Sequence, residues 1–257
     1  MKKLVLAALA FFALGSQAQV LKSNFLNGYK EGDKLEKSVY TEKKAPIALD
    51  TWCGAFSSKP NQFASPVIGK ELTYSGYAEK GPSISFGGFE AGQKGARFSV
   101  YSISDGKEYS RGTLYLSCLV NFSKLGGSGL ADFVGLSPAY VGGGNRANIY
   151  VARQGSEQIR FGASLLKLKG ETTMAYDYDK THLLVLKLDY DNQTVQLFVD
   201  PKLDAQEPAE ADCTVNGDEE NVLKHAIRAI SFRNRSGYIG NVGNFRLSNS
   251  WDGVIAQ

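Results

Sequence analysis

The sequence predicts an all-β protein, a two-sheet antiparallel β-sandwich or jelly roll, from three observations. Apolar and polar residues alternate with a period of two along most of the chain, which is typical of half-buried strands. Turn sequences rich in glycine and asparagine separate these segments. The chain has 28 glycines, 13 tyrosines and 14 phenylalanines but only two methionines, a composition that favours strands and turns over helices.

Nine segments carry the strand pattern. The clearest two form a hairpin, 182–190 with 194–200, because Asp191-Asn192 between them favours a tight turn. A helix of one or two turns has room only at 219–225. The other strand candidates are 96–103, 113–122, 131–136, 147–153, 158–164, 226–233 and 242–248. Many short strands without intervening helices predict two packed sheets.

Two stretches interrupt this pattern. Residues 19–46 mix charges with apolar residues such as Phe25 and Leu35, which predicts an ordered segment packed at the edge of the sandwich. Residues 201–220 contain two prolines and seven acidic residues, which predicts a surface loop. Neither stretch is long enough to separate two cores, so residues 19–257 are expected to form a single domain.

Residues 1–18 have the pattern of a cleaved secretory signal peptide. Lys2 and Lys3 precede an unbroken apolar run, and Ser16 and Ala18 supply the small residues before cleavage. The run is shorter than the roughly 20 apolar residues that cross a bilayer, and no later run reaches that length. The mature chain is therefore expected to begin at Gln19, to be secreted or periplasmic, and to have no transmembrane segment.

The charge is close to neutral. Lys and Arg number 29 against 26 Asp and Glu, a formal charge of +3 that falls to +1 (3 − 2) when the two leader lysines are removed. Nucleic-acid-binding proteins instead carry a basic patch or stripe. No nucleic-acid partner is therefore expected.

Three cysteines remain in the predicted mature chain, so at most one disulfide can form within it. Cys118 shares a strand face with Leu116 and Val120, which predicts a core position. Cys53 and Cys213 lie in turn-like sequence, and a bridge between them and two free thiols both stay open. No pair of cysteines has the spacing of zinc ligands.

Four regions of the chain share a pattern with one protein family. They are the opening segments 25–35, 50–56 and 72–77, the long strand 112–120, the hairpin 184–201 and the closing strand 242–251. Together they resemble exported bacterial proteins that have a concanavalin A-like lectin/glucanase (LamG-like) jelly roll. The leader and the general style of the sequence resemble exported proteins of a Bacteroidetes type. Gly243 and Asn244 replace the acidic pair that often precedes the arginine of that closing strand. The superfamily includes glycosidases, lyases, lectins and adhesion modules, so the resemblance implies the fold more than the activity.

The carboxylates lack the arrangement that the resemblance implies for catalysis. Glucanases of this fold resemble a strand bearing Glu-x-Asp-x-x-Glu, in which the carboxylates share one face. Asp177 with Asp179 and Asp189 with Asp191 are two residues apart, but neither pair has a third carboxylate nearby. We therefore expect a non-catalytic binding module. A divergent glycoside hydrolase or polysaccharide lyase is the first alternative, and a structural or adhesive envelope protein is the second.

No cofactor is expected, and calcium is the one ion that the resemblance brings into consideration. The candidate oxygen donors are Asp189, Asp191, Asn192 and Asp252. Their spacing does not match an EF-hand loop, and hairpin and terminal turns without a metal are the preferred interpretation.

A carbohydrate-binding face is the remaining hypothesis. Aromatic rings pack under the C–H faces of sugars, while amides and guanidinium groups bond their hydroxyls. Strand alternation assigns six such residues to the side away from the core. They are Arg97, Tyr101, Tyr115, Asn148, Tyr150 and Arg233. Large sheets also need polar and aromatic cross-strand pairs to fold, so a structural role stays open for each. The expected partner is a glycan or another surface polymer, bound in a groove on the concave sheet.

Overall fold

The computed structural model describes residues 20–40, 48–55, 63–89, 98–103, 109–138, 144–204 and 206–255. The strands are β1 (Val20–Lys22), β2 (Ser38–Val39), β3 (Trp52–Gly54), β4 (Ile68–Gly69), β5 (Ser83–Phe86), β6 (Phe98–Ser102), β7 (Thr113–Lys124), β8 (Ala131–Ser137), β9 (Ala147–Gln154), β10 (Gln158–Leu165), β11 (Leu168–Glu171), β12 (Tyr176–Asp177), β13 (His182–Asp189), β14 (Thr194–Val199), β15 (Cys213–Asn216), β16 (Ala229–Arg233) and β17 (Ile239–Ser248). One short helix, α1 (Trp251–Ile255), follows β17.

These strands form two sheets that pack face to face. Sheet I has the order β15-β14-β13-β7-β17-β5-β4, with β1 added beside β17. Sheet II has the order β11-β10-β9-β8-β16-β6-β3-β2, with β12 added beside β10. Neighbouring strands are antiparallel except for the parallel pair β2 and β3. The predicted all-β two-sheet sandwich is confirmed.

Each of the nine predicted strand segments contains a strand, but the two predictions for the region before β16 need correction. The segment 219–225 is not helical, and α1 is the only helix in the described ranges. The stretch 201–220 is not entirely a loop, because β15 lies within it and pairs with β14. Cys213 and Val215 of β15 are buried while Thr214 and Asn216 are exposed, so this short alternating run extends sheet I.

The core between the sheets is one continuous apolar cluster. Four phenylalanines join the sheets at its centre: Phe86 and Phe122 from sheet I contact Phe133 and Phe232 from sheet II. The ring centroids of Phe122 and Phe133 are 5.4 Å apart. A register shift in β8 between Asp132 and Val134 inserts Phe133, which lets two successive residues of β8 face the core.

The outer face of sheet I, the face directed away from sheet II, is covered by a second apolar cluster. Trp251 of α1 packs against Phe198 of β14, with ring centroids 5.0 Å apart, and Val254 packs into the same cluster. Among the described residues, the outer face of sheet II carries a small apolar cluster around Val100 and Ala229.

The described part of the charged opening segment, residues 20–40, packs on the sandwich as predicted. Strand β1 pairs with β17, and Leu35 is fully buried. The indole Nε1 of Trp52 donates to the carbonyl of Phe25 at 2.9 Å. The predicted signal peptide, residues 1–18, and Gln19 lie outside the described residues. Within the described ranges, no helix is long and apolar enough to span a membrane.

The three cysteines are buried and free, so the structure contains no bridge between Cys53 and Cys213. The predicted core position of Cys118 is confirmed. Burial raises the pKa of the Cys118 thiol. A buried thiol with a raised pKa is a poor nucleophile, so Cys118 acts as a small core residue.

Asp189 organises the turn between β13 and β14, and its carboxylate gives a pH-dependent prediction. Its Oδ1 accepts hydrogen bonds from the backbone nitrogens of Asp191 and Asn192, at 3.0 and 2.9 Å. Its Oδ2 accepts from Asn192 Nδ2 at 2.9 Å. Burial raises the pKa of Asp189, but these hydrogen bonds outweigh it and hold the pKa below its ordinary value of 3.8.

A carboxyl group whose pKa is depressed by folding stabilises the protein above its unfolded-state pKa and loses that effect as the pH falls through the folded-state pKa. We expect Asp189→Ala to lower the free energy of unfolding by roughly 1–3 kcal/mol at pH 6.5. The difference in unfolding free energy between Asp189→Ala and the unchanged protein should be smaller at pH 3 than at pH 6.5. Urea denaturation at both pH values measures it. Asp191→Ala, which removes an exposed neighbouring carboxylate, is the control. A difference that is the same at both pH values would contradict this role.

Candidate functional site

Three of the six residues proposed from the sequence lie together on the outer face of sheet II. Asn148 and Tyr150 are two residues apart on β9, between the core residues Ala147, Ile149 and Val151. Arg233 ends β16, on the other side of β8 from β9. Strand alternation therefore placed these three side chains on the correct face.

Tyr101 does not belong to this face, and its predicted orientation is wrong. Its ring lies in the core, with centroids 4.8 Å from Phe25 and 5.6 Å from Trp52. Its hydroxyl donates to Asp50 Oδ1 at 3.2 Å. The alternation in β6 is real, but both of its faces are apolar, and Val100 faces outward instead. Arg97 lies outside the described residues.

Tyr115 lies on the opposite side of the molecule, on the outer face of sheet I. Its ring packs against Trp251, and its hydroxyl donates to Glu207 Oε2 at 2.6 Å. Lys187 Nζ lies 2.6 Å from Glu207 Oε1. Burial and the Glu207 carboxylate both raise the pKa of Tyr115. Its ring and hydroxyl are thus engaged within the protein, on the face remote from Asn148 and Tyr150.

Strand register arranges the outer face of sheet II in two adjacent rows. Tyr150 pairs with Gly162 of β10 and with Asp132 of β8. Arg233 pairs with Phe98 of β6. The ion pair between Asp132 and Arg233 joins these pairs into a first row across five strands, from a glycine through an aromatic ring, a carboxylate and a guanidinium group to Phe98.

The second row is built from amides and hydroxyls. Asn148 pairs with Ser164 of β10 and Gly135 of β8, and Gly135 pairs with Ser231 of β16. Asn145 Nδ2 donates to Asn148 Oδ1 at 2.6 Å and to Ser231 Oγ at 2.9 Å. Asn148 Nδ2 donates to Ser164 Oγ at 3.1 Å. These bonds fix the planes and orientations of both amides.

Gly135 makes room for the two amides. A Cβ at this position would overlap the amide groups of Asn145 and Asn148. A side chain there would therefore displace the amide network.

A charged cluster lies in the first row. Asp132 Oδ1 accepts hydrogen bonds from Arg233 Nη1 at 3.2 Å and from Arg235 Nη2. Arg235 Nε donates to the carbonyl of Asp132 at 3.0 Å, and the Arg233 guanidinium lies 3.9 Å from the centroid of Phe98. Arg233 Nε is buried and has no hydrogen-bond partner within the described ranges. One carboxylate faces two guanidinium groups, so the cluster has an excess positive charge.

Tyr150 forms part of the floor of this face. It is only 6% exposed, and Lys169 Nζ lies 4.9 Å from its ring centroid. The ring therefore has no open face wide enough to support a sugar. Asn148 is similarly 8% exposed. The groups that reach solvent are the exposed Lys169 and the half-buried Asp132, Asn145, Arg233 and Arg235.

Four residues of this site were missed by sequence reasoning: Asp132, Asn145, Lys169 and Arg235. Asp132 occupies the outward position of the predicted strand 131–136, so alternation was a usable signal for it. Asn145 and Arg235 belong to turns, where sequence patterns do not define a facing direction. Lys169 lies on β11, which has only four residues.

His182 lies beside the carboxylate of Asp200 and is enclosed by the protein. His182 is 1% exposed; its Nδ1 lies 2.7 Å from Asp200 Oδ2, and its Nε2 lies 3.2 Å from the carbonyl of Asp177. Both ring nitrogens are thus occupied by protein groups, and the imidazole packs against Phe161. This arrangement links the start of β13 to Asp177 and Asp200, and it leaves neither ring nitrogen open to a substrate.

The described residues contain no group of three or more His, Cys, Asp or Glu side chains that could hold a metal ion. Both oxygens of Asp189, one of the calcium candidates, accept hydrogen bonds within its own turn. Calcium binding remains a prediction from the resemblance.

The chain matches no protein-family model and no curated protein. Among solved structures it aligns with the T. cruzi calreticulin globular domain at 13% identity and a TM-score of 0.47, over 78% of this chain and 84% of that chain. A legume lectin-like domain from Entamoeba histolytica aligns at 10% identity and a TM-score of 0.41, over 70% of this chain and 86% of that one.

A third alignment is with a structure of the endo-acting O-glycanases that human gut microbiota express to initiate mucin breakdown. It has 12% identity and a TM-score of 0.44, and it covers 85% of this chain and 99% of that chain. At these identities and TM-scores, none of the three structures bears on the family or the function of this chain.

Proposed function

We propose that this protein is an exported, non-catalytic module that binds carbohydrate or a related surface polymer through the outer face of sheet II. One observation carries the proposal: the fixed amides of Asn145 and Asn148 lie in a row beside Tyr150 and Arg233. The outer face of sheet I, in contrast, is covered by an apolar cluster that includes α1.

The chemistry of the face suits sugar hydroxyls. Beyond the bonds of the network, the carbonyl oxygen of Asn145 and one N–H group of Asn148 are left for a ligand, and a guanidinium group has five donors in a planar fork. Groups already held in one orientation lose little conformational entropy when a ligand binds. The Tyr150 hydroxyl has no hydrogen bond to another described residue and adds a further donor and acceptor to the row.

The charge of the face adds a preference among sugars. Arg233 and Arg235 share the single carboxylate of Asp132, and Lys169 lies nearby over the Tyr150 ring. Positive groups at the edge of a binding face raise the local concentration of anionic ligands. We therefore expect uronic-acid or sulfated polysaccharides to bind more tightly than neutral ones.

The first test removes the half-buried amide of Asn145 from this face. We expect Asn145→Ala to weaken binding of the best ligand from a glycan array at least tenfold, which corresponds to about 1.4 kcal/mol. It removes the shared donor to Asn148 and Ser231, so the amide row loses its orientation. Isothermal titration calorimetry measures the effect.

Asn216→Ala is the matched control, because Asn216 is exposed on the edge strand β15 of sheet I. Equal affinities for the two variants would contradict the assignment of the face. Assays for reducing ends and unsaturated sugars on the same polysaccharides test the enzymatic alternative, and turnover would overturn the non-catalytic part of the proposal.

A further inference from the structure

A separate pocket lies at the end of the sandwich where β8 ends and β9 begins. Its volume is about 410 Å³, and it is lined by Ser110, Pro138, Arg146, Lys224, His225, Ala226 and Arg228. Ligand pockets in proteins typically have volumes of roughly 300–1,000 Å³. The pocket is therefore large enough for a single sugar residue or a small anion.

The ionisable side chains of this pocket are all basic. Arg146, Lys224, His225 and Arg228 line it, and no described carboxylate does. Arg228 already has an interaction partner within the protein, so Arg146 and Lys224 supply the charge on which the inference rests. Positive charge concentrated in a concave site attracts anions and strengthens their binding.

Arg146 has an unsatisfied donor at this site. Its Nε is buried and has no hydrogen-bond partner within the described ranges. A buried donor without a partner has a desolvation cost that an acceptor from a ligand would offset. A guanidinium group also bonds carboxylate, sulfate and phosphate oxygens in a bidentate geometry.

The walls of the pocket are held by the fold. The backbone nitrogen of Arg146 donates to Leu136 at 2.8 Å, and its carbonyl accepts from Leu166 at 2.9 Å. On the opposite wall, the Tyr190 hydroxyl donates to the carbonyl of His225 at 2.8 Å. The backbone of Arg146 is thus anchored to sheet II, and that of His225 is anchored to the end of β13 in sheet I.

We propose that this pocket binds an oxyanion, a carboxylate, sulfate or phosphate group, through Arg146 and Lys224. Two kinds of ligand carry such a group, an acidic sugar residue and a free inorganic anion. The site is distinct from the outer face of sheet II, although Arg146 is only two residues from Asn148 along the chain.

The test titrates the protein with sodium sulfate, sodium phosphate, oligogalacturonate and neutral maltohexaose by isothermal titration calorimetry. We expect at least one anionic probe to bind and maltohexaose not to bind at this site. Arg146→Met and Lys224→Met should each raise the dissociation constant of that anionic probe at least tenfold. Lys224 is exposed, so its variant keeps the test decisive if Arg146→Met fails to fold.

Lys180→Met is the matched control. Lys180 is exposed and precedes β13, whereas Tyr190, which bonds to His225, follows it, so Lys180 lies at the other end of a strand that spans about 25 Å. Its variant should bind the anionic probe within twofold of the unchanged protein. Competition by sulfate against oligogalacturonate distinguishes the two kinds of ligand: complete displacement indicates the anion alone, and partial displacement indicates the acidic sugar.

The proposal fails if no anionic probe binds, or if Arg146→Met and Lys224→Met bind as tightly as Lys180→Met. The variant Lys169→Ala tests the sheet II face independently of the pocket. Lys169 lies over Tyr150 and does not line the pocket. The variant should weaken polysaccharide binding at the face while leaving the affinity of the pocket for sulfate or phosphate unchanged.

Discussion

Replacing Glu79 with alanine is expected to destabilise the protein by about 3–5 kcal/mol, because it leaves a partly buried guanidinium group without its counter-charge. The Glu79 side chain is 6% exposed, and its Oε2 lies 3.3 Å from Arg246 Nη1. Its Oε1 accepts from the backbone nitrogen of Asn24 at 2.9 Å. Arg246 Nε also donates to the carbonyl of Gly253 at 2.7 Å. One carboxylate therefore ties the opening segment to β17 and, through Arg246, to α1.

Urea denaturation measures this effect, and a second ion pair supplies the control. Glu171 pairs with Arg160 on sheet II, but its side chain is 46% exposed. We expect Glu171→Ala to cost no more than about 1 kcal/mol, as solvated pairs do. The double variant Glu79→Leu/Arg246→Met should recover part of the loss, because it removes both buried charges together. Equal losses of unfolding free energy for Glu79→Ala and Glu171→Ala would contradict the role of Glu79 in tying the opening segment to β17.

The second large effect is expected at the centre of the core. Phe122→Ala should lower the free energy of unfolding by about 3–5 kcal/mol, the usual cost of truncating a buried phenylalanine. Phe122 is 1% exposed, and its ring centroid lies 4.9 Å from that of Phe86 and 5.4 Å from that of Phe133. Truncation leaves a cavity at the point where the two sheets meet.

Truncation of a large apolar residue on the surface is the control, because it removes apolar atoms without opening a cavity in the core. Met174 is 62% exposed, so Met174→Ala should change the free energy of unfolding by less than about 0.5 kcal/mol. Phe122→Leu should lie between the two, since it retains most of the buried volume. A small cost for Phe122→Ala, near that of Met174→Ala, would show that the phenylalanine cluster does not hold the sheets together.

Much of the fold was predictable because the long strands repeat their pattern several times. Strand β7 has 12 residues and β13 has eight, enough for the pattern to identify both strands and, in β7, the core face that carries Leu116 and Cys118. Strands β2 and β4 have two residues each, too few for any periodicity. Strand β6 was found with its faces reversed, because Tyr101 and Val100 are both apolar enough to be buried.

The site was predictable only where one strand determines it. The pleat of β9 alone places Asn148 and Tyr150 on one face. Arg233 joins them through the pairing of β16 with β8, and the alternation of a single strand carries no information on register. Asn145 enters from a turn, so its bond to Ser231, 86 residues away, follows from the tertiary fold. The near-complete burial of Tyr150 likewise depends on Lys169 of a different strand.

The most direct test of carbohydrate binding at the sheet II face is a titration of ¹⁵N-labelled protein with the best-binding oligosaccharide, followed by amide chemical-shift mapping. We predict that the largest shifts occur at Asn145, Asn148, Tyr150 and Arg233, and that β13 and β14 of sheet I change little. Shifts concentrated on sheet I, or the absence of binding to every glycan on the array, would contradict the proposed function.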